Sequence, residues 1–218
     1  MSFRGTGMLC VWTDIPPHIE PEFNRWYDRE HLAERVAIPG FTRACRYVLT
    51  EPQAGAAKYL ALYEAESIDV LNSPDYHVRL KNQTEWSRKI MARFVKPSRA
   101  CVRVVSSKGA GIGGALAILR FEAPGTEAGP HPEFVQDLTG RLDRALAASG
   151  VVGCHLLVTD AAVSAVGALG SPPSARQTIA VVEADTPADA RSALANLCVA
   201  ADLPGVPATY RLMVALSR

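Results

Sequence analysis

Cysteine is sparse and unpaired in this chain. Cys10, Cys45, Cys101, Cys154 and Cys198 are odd in number, widely spaced, and form no C-x-x-C pair. That argues against a disulfide framework and against a cysteine zinc site, and reads instead as small buried hydrophobes in a reducing compartment. Excess charge of one sign is also missing. The 23 Lys and Arg balance 22 Asp and Glu to a formal net charge of +1, so no global field recruits nucleic acid or a strongly charged partner. No apolar run approaches the length needed to span a bilayer, and no basic start leads into an apolar segment. A cytoplasmic protein with no membrane or nucleic-acid partner is the expectation. No two histidines stand in an H-x-x-x-H pair, so Asp14, His18, Glu22 and His31 lack the usual helical metal spacing, and no metal is expected.

About half of the residues are apolar, enough for a substantial core in one domain or two. The stretch that asks for a chemical explanation is Glu22 to Arg35, closed by Ile38-Pro39-Gly40-Phe41. At 100° per residue, Phe23, Trp26, Tyr27, Ala33, Ala37 and Ile38 share one sector, the signature of a helix laid on a core. Glu30 and Glu34 fall in the same sector, His31 and Asn24 lie on its edge, and Leu32 and Val36 lie on the far side. A carboxylate on an apolar face needs a partner, a proton or a wet cavity, so the wheel points to a helix bordering a pocket. A solvated face, with Glu30 paired to Arg29 or Arg35, is the competing reading.

Around this helix the predicted order is a strand over 7–15, the helix, strands over 42–51 and 58–66, further helical pieces over 67–94, and a strand over 99–106. After the glycine-rich connector 107–114 the order starts again. A strand over 114–121, a helix over 132–149, strands over 151–160 and 177–184, a helix from 187 to about 201, and a strand over 207–216 complete it, with a loop of small residues over 161–175. Two βαββαβ units follow, divided as 1–108 and 109–218. Each is a ferredoxin-like pattern whose sheet carries both helices on one face. Because the strands are apolar on both sides, the two sheets are expected to pair face to face as an eight-stranded α+β barrel with helices outside.

Trp12-x-Asp14, Glu22-Phe-Asn-x-Trp-Tyr-Asp-x-Glu-His31, Ile38-Pro-Gly-Phe41, Arg43-x-x-Arg46-Tyr47 and Lys58-Tyr-Leu-Ala-Leu-Tyr63 together resemble the EthD-like branch of the dimeric α+β barrel superfamily. The resemblance is good over residues 7–105 and rests on element order beyond them. It implies two tandem ferredoxin-like repeats forming an intramolecular barrel, and a ligand pocket between helices and sheet bordered by His31. The superfamily hosts isomerases, cofactor-independent monooxygenases, cyclases, stress-responsive proteins and haem enzymes, so the fold leaves the reaction open. The second half reads Glu133-Phe-Val-Gln-Asp-Leu-Thr-Gly140 where the first has its Asn, Tyr and His, which implies one site per chain.

His31 is the catalytic candidate, because imidazole titrates near neutrality and suits proton transfer beside a carbonyl or phenol. A space-filling histidine that donates one hydrogen bond is the alternative. Asn24, Tyr27, Arg46, Tyr59, Tyr76 and Trp12 are the substrate-binding candidates. Arg43 and Arg46 point to opposite sides of their strand, so at most one can grip a carboxylate or enolate in the pocket. His77 is a possible second acid or base, with a surface position as its competing reading. His131 and His155 are poorly placed for a haem axial ligand, and Gly109 to Gly114 precedes a strand, unlike a dinucleotide fingerprint. The expectation is a cofactor-independent isomerase, lyase or oxygenase for a small aromatic, lactone or ketone, as monomer or homodimer. The alternative is a non-catalytic barrel that binds a small hydrophobic ligand.

Overall fold

The computed structural model describes residues 3–167 and 173–218. In the first half, strand β1 (Gly7–Asp14) stops before Pro16-Pro17 and leads into a helix built of three consecutive pieces. These are α1 (Glu20–Trp26), a π-helical turn (Tyr27–His31) and α2 (Leu32–Val36). Pro21 stands in the first turn with Glu20 and Glu22, where a missing N–H is tolerated and negative charge faces the helix dipole. Gly40, at φ +86°, turns the chain into β2 (Phe41–Leu49); a Cβ there would strike Val70 at 2.6 Å. Strand β3 (Tyr59–Ala65), a 3-10 turn (Ile68–Asn72), α3 (Pro74–Lys81), α4 (Glu85–Met91) and β4 (Val95–Gly109) follow.

The second half repeats the order. It contains β5 (Ala115–Glu122), the two-residue ribbons β6 (Gly125–Thr126) and β7 (Gly129–Pro130), α5 (Pro132–Ala145), β8 (Val151–Thr159), α6 (Ala161–Ala165), β9 (Gln177–Ala184), α7 (Pro187–Ala200) and β10 (Ala208–Ser217). Several boundaries differ from the sequence expectation. Strand β4 runs on through part of the glycine-rich connector, because its C-terminal part pairs with β8 after its N-terminal part has paired with β1. Helix α5 ends at Ala145, short of the expected Ser149. The expected loop over 161–175 begins as helix α6, capped by Asp160 accepting from the Val163 N–H at 3.0 Å, and its residues 168–172 lie outside the described residues.

The main sheet closes in the order β1-β3-β2-β10-β5-β9-β8-β4. Taken from each fourth strand, β4-β1-β3-β2 and β10-β5-β9-β8 are the same arrangement twice. The register repeats as well: Met8 pairs with Glu64 and Leu116 with Glu183, so β1 corresponds to β5 and β3 to β9. The long strands β4 and β10 are the seams, each hydrogen-bonded to both halves.

Alternation along the strands sorts side chains into three cores. Met8, Cys10, Trp12, Leu60, Leu62, Leu116, Ile118, Leu157 and Val181 fill the barrel. Leu9, Ala61 and Tyr63 face α1–α4, whereas Ala117, Leu119, Leu156 and Val182 face α5 and α7. Burying one such leucine contributes roughly 1.5–3 kcal/mol. One end of the barrel interior is polar: Arg43 pairs with Glu64 at 2.5 Å, and His155 lies 3.5 Å from Glu183, 3.0 Å from Ser107 and stacked on Phe3. All five cysteines are free and buried.

Candidate functional site

The π turn decides which residues of the first helix reach the sheet. A π turn inserts one extra residue and rotates everything after it by about 100°. Phe23, Trp26 and Tyr27, up to its first residue, are buried, but from its last residue onward the buried set is His31, Leu32, Arg35, Val36 and Ile38. Ala33 and Ala37, on the core side of an ideal wheel, are exposed. Leu32 and Val36 are therefore core residues, and the apparent flaw in the amphipathic pattern is the signature of the extra residue.

The acids of that helix are placed off the sheet. Glu30 accepts from Thr84 at 2.6 Å, Ser87 at 3.1 Å and the Trp26 indole at 3.2 Å, which ties the π turn to the start of α4. Glu34 pairs with Arg79 at 3.3 Å. Neither carboxylate lines the space between helix and sheet.

That space is a cavity of about 180 Å³. Leu9, Val11, Tyr63 and Arg99 form its sheet wall, Tyr27, His31 and Arg35 its first-helix wall, and Tyr76, Leu80, Met91 and Phe94 close it. His31 is 6% exposed, stacks on Trp26 at 4.2 Å, and meets Tyr27 and Tyr63 edge-on at 5.3 and 6.1 Å. Its Nδ1 has no hydrogen-bond partner among the described residues. Burial, then the charges of Arg35 and Arg46, hold its pKa well below the ordinary histidine range. The imidazole is therefore neutral at neutral pH, with one ring nitrogen carrying a lone pair. Burial pushes the phenols of Tyr27, Tyr63 and Tyr76 upward, so all three keep their protons as donors.

Of the residues singled out from the sequence, the fold brings His31, Tyr27 and Tyr76 together at this cavity. Asn24, Arg46 and Tyr59 form a separate cluster beneath the N-terminal turns of the helix. Arg46, fully buried, is sandwiched by Phe23, Tyr27 and Tyr59 at 4.3–4.8 Å and donates to Asn24 Oδ1 at 2.5 Å. Tyr59 donates to Glu20. This cluster packs the helix on the sheet and does not line the cavity. Trp12 points into the barrel, under Arg120 at 4.1 Å, beside a different cleft at the barrel mouth. Arg43 also faces the barrel interior, so neither strand arginine reaches the cavity. His77 binds Asn72 at the exposed end of α3.

Four polar lining residues, Arg35, Tyr63, Gln83 and Arg99, are not among the catalytic and substrate-binding candidates named from the sequence. Tyr63 was legible as one side of a period-two strand. Arg35 was hidden by the phase shift of the π turn, and Arg99 by its place at the expected start of a strand. In the second half the corresponding wall is Ala117, Leu119 and Val182, covered by Leu138, Leu142 and Leu194 in a closed core. His155 lies inside the barrel instead of on this face.

No protein-family model matches the sequence, and no curated relative does. Solved structures match over nearly the whole chain. An anthrone oxidase-like protein superposes with a TM-score of 0.63 at 11% identity, covering 100% of this chain and 95% of its own. A Fusobacterium nucleatum protein provisionally named a monooxygenase gives 0.63 at 9% identity, covering 99% and 96%. A protein provisionally named a chlorite dismutase gives 0.55 at 10%, covering 95% and 94%. The chain has the dimeric α+β barrel fold. Identities this low establish the barrel and leave the chemistry to the site.

Proposed function

We propose that this barrel is a cofactor-independent enzyme, EthD-like in its first half, that removes a proton from a small aromatic or enolisable substrate bound beside His31. The observation that carries the reading is a buried imidazole whose Nδ1 is unpartnered at the wall of a cavity. A space-filling histidine would be expected to satisfy that atom with a protein acceptor or donor. The anthrone oxidase-like protein adds support by analogy of fold.

In this reading the neutral imidazole accepts a proton from carbon next to a carbonyl, or from a phenol. The electron pair moves onto the substrate oxygen, where Arg35 and a tyrosine hydroxyl stabilise the enolate. Returning the proton to a different carbon is an isomerisation. The balanced alternative takes dioxygen as oxidant: a methylene carbon gives up both hydrogens, one oxygen atom becomes its carbonyl, and the other leaves with the two hydrogens as water. The substrate carbanion supplies the electrons.

The test is a screen of anthrones, phenols, lactones and cyclic ketones, followed by absorbance and by oxygen consumption. His31→Ala should lower kcat by roughly 10²–10⁴-fold on any substrate turned over, with circular dichroism unchanged. Ligand binding without turnover by the wild type at any pH would replace the enzyme with a binding protein.

A further inference from the structure

Among the described residues that line the cavity there are two arginines and no carboxylate. Arg35 is 6% exposed and its Nη1 has no hydrogen-bond partner among the described residues, while its guanidinium sits 5.9 Å from the Tyr76 ring. Arg99, 7% exposed, donates to neutral acceptors: the Val166 carbonyl, the Tyr76 hydroxyl at 3.3 Å and Cys101 Sγ at 3.1 Å. Tyr76 thus stands between two buried cations. The nearby acids are engaged elsewhere, Glu34 with Arg79 and Asp160 with Arg103. A buried cation with no carboxylate hydrogen-bonded to it is costly, and an unpartnered guanidinium N–H on a residue that lines a cavity fits an oxyanion.

We infer that the ligand of this cavity is a single-ring aromatic that carries an oxyanion, gripped by Arg35 with Arg99 behind it, its ring against Tyr27, Tyr63 and His31. Size agrees with charge. A dry cavity of about 150 Å³ accommodates benzene, and this one measures about 180 Å³. The inference rests on the reading of the cavity as a ligand site; it adds the charge and the ring that the ligand must have. Carboxylate and ionised phenol share the recognised chemistry.

The experiment is calorimetric titration of the full chain with benzoate, methyl benzoate and 4-nitrophenol, the last above and below its ionisation. Benzoate should bind about tenfold or more tightly than its neutral ester, the scale of a charge-assisted hydrogen bond. Arg35→Met should abolish that preference while leaving ester binding within about twofold, and Arg35→Lys should keep part of it. Should Arg35→Met not fold, the wild-type ratio of benzoate to ester decides. A further preference for 4-nitrophenolate over benzoate assigns the oxyanion to a phenol, and the reverse assigns it to a carboxylate. An ester that binds as well as the acid, equal loss of both in Arg35→Met, or no binding of any probe at millimolar concentration overturns the inference. His31→Gln separates the two readings. Anion preference kept in that variant, with no turnover by the wild type, removes the enzyme reading alone. Turnover of neutral substrates without anion preference removes this one alone.

Discussion

At the scale of single residues, burial has opposite consequences for two histidines of this chain. His155 lies in the barrel beside Glu183 and Ser107, inside a polar plug, whereas His31 faces aromatic rings with Nδ1 unpartnered. His31 therefore carries a pH dependence of definite sign. Its folded pKa lies below the ordinary value of 6.5, so the unfolded chain binds a proton at that site before the folded chain does. The stability it contributes is fully present above about pH 6.5 and is lost as pH falls toward the folded pKa. Chemical denaturation between about pH 7.5 and 5 should show the wild type weakening with acid, and His31→Gln should flatten that slope; an unchanged slope would assign the weakening to other groups. Arg46 shows the same logic for a cation. Burial lowers its pKa, while three aromatic faces and Asn24 hold the charge where no solvent reaches it.

At the scale of elements, the π turn Tyr27–His31 is the feature on which the cavity depends. It keeps the register of Phe23 and Trp26 on the sheet and brings His31 and Arg35 to the cavity instead of Glu30 and Glu34. Glu30, displaced sideways, then binds the N-cap residue of α4 and helps to hold the far wall. Inserting one alanine after the exposed residue Arg29 should add a further turn of about 100° and carry Leu32, Arg35 and Val36 off the core. The expected loss is large, about 2–5 kcal/mol for each large apolar side chain withdrawn, together with loss of ligand binding. Urea denaturation and the benzoate titration measure the two effects. An insertion variant of wild-type stability would mean that the helix absorbs the added residue without turning its face.

At the scale of the molecule, one chain supplies both halves of a barrel whose interior is sealed from both sides. The seams are β4 with β8 and β10 with β2, so each half's inner face is covered by the other. We propose 108/109 as the division between the repeats, on the last residues of β4. Residues 1–108 expressed alone should then self-associate or fail to fold, since Cys10, Leu60, Leu62 and Val102 would face water. Co-expression with 109–218 should restore a soluble 1:1 assembly, read by size-exclusion chromatography and circular dichroism. A monomeric, cooperatively folding 1–108 fragment would show that the first half has its own complete core. Among the described residues no helix is long and apolar enough to cross a membrane.

The sequence by itself determined the order of elements, the doubling of the ferredoxin-like unit and the closed barrel, because these depend on local signals: strand periodicity, Pro16-Pro17, Pro39-Gly40 and apolar runs on both strand faces. It also singled out His31, Tyr27 and Tyr76. Only the tertiary structure decided that Arg35 and Arg99 share the cavity with them and that Asn24, Arg46, Tyr59 and Trp12 do not. Helical wheels assume a constant 3.6-residue period, and one inserted residue at the π turn broke it. Strand alternation says which side of the sheet a residue takes, but on the helix side a cavity and a packed aromatic cluster lie a few residues apart. Which of the two a side chain enters depends on how the helix crosses the strands, and that is fixed by contacts distant in sequence, such as Glu30 with Thr84 and Ser87.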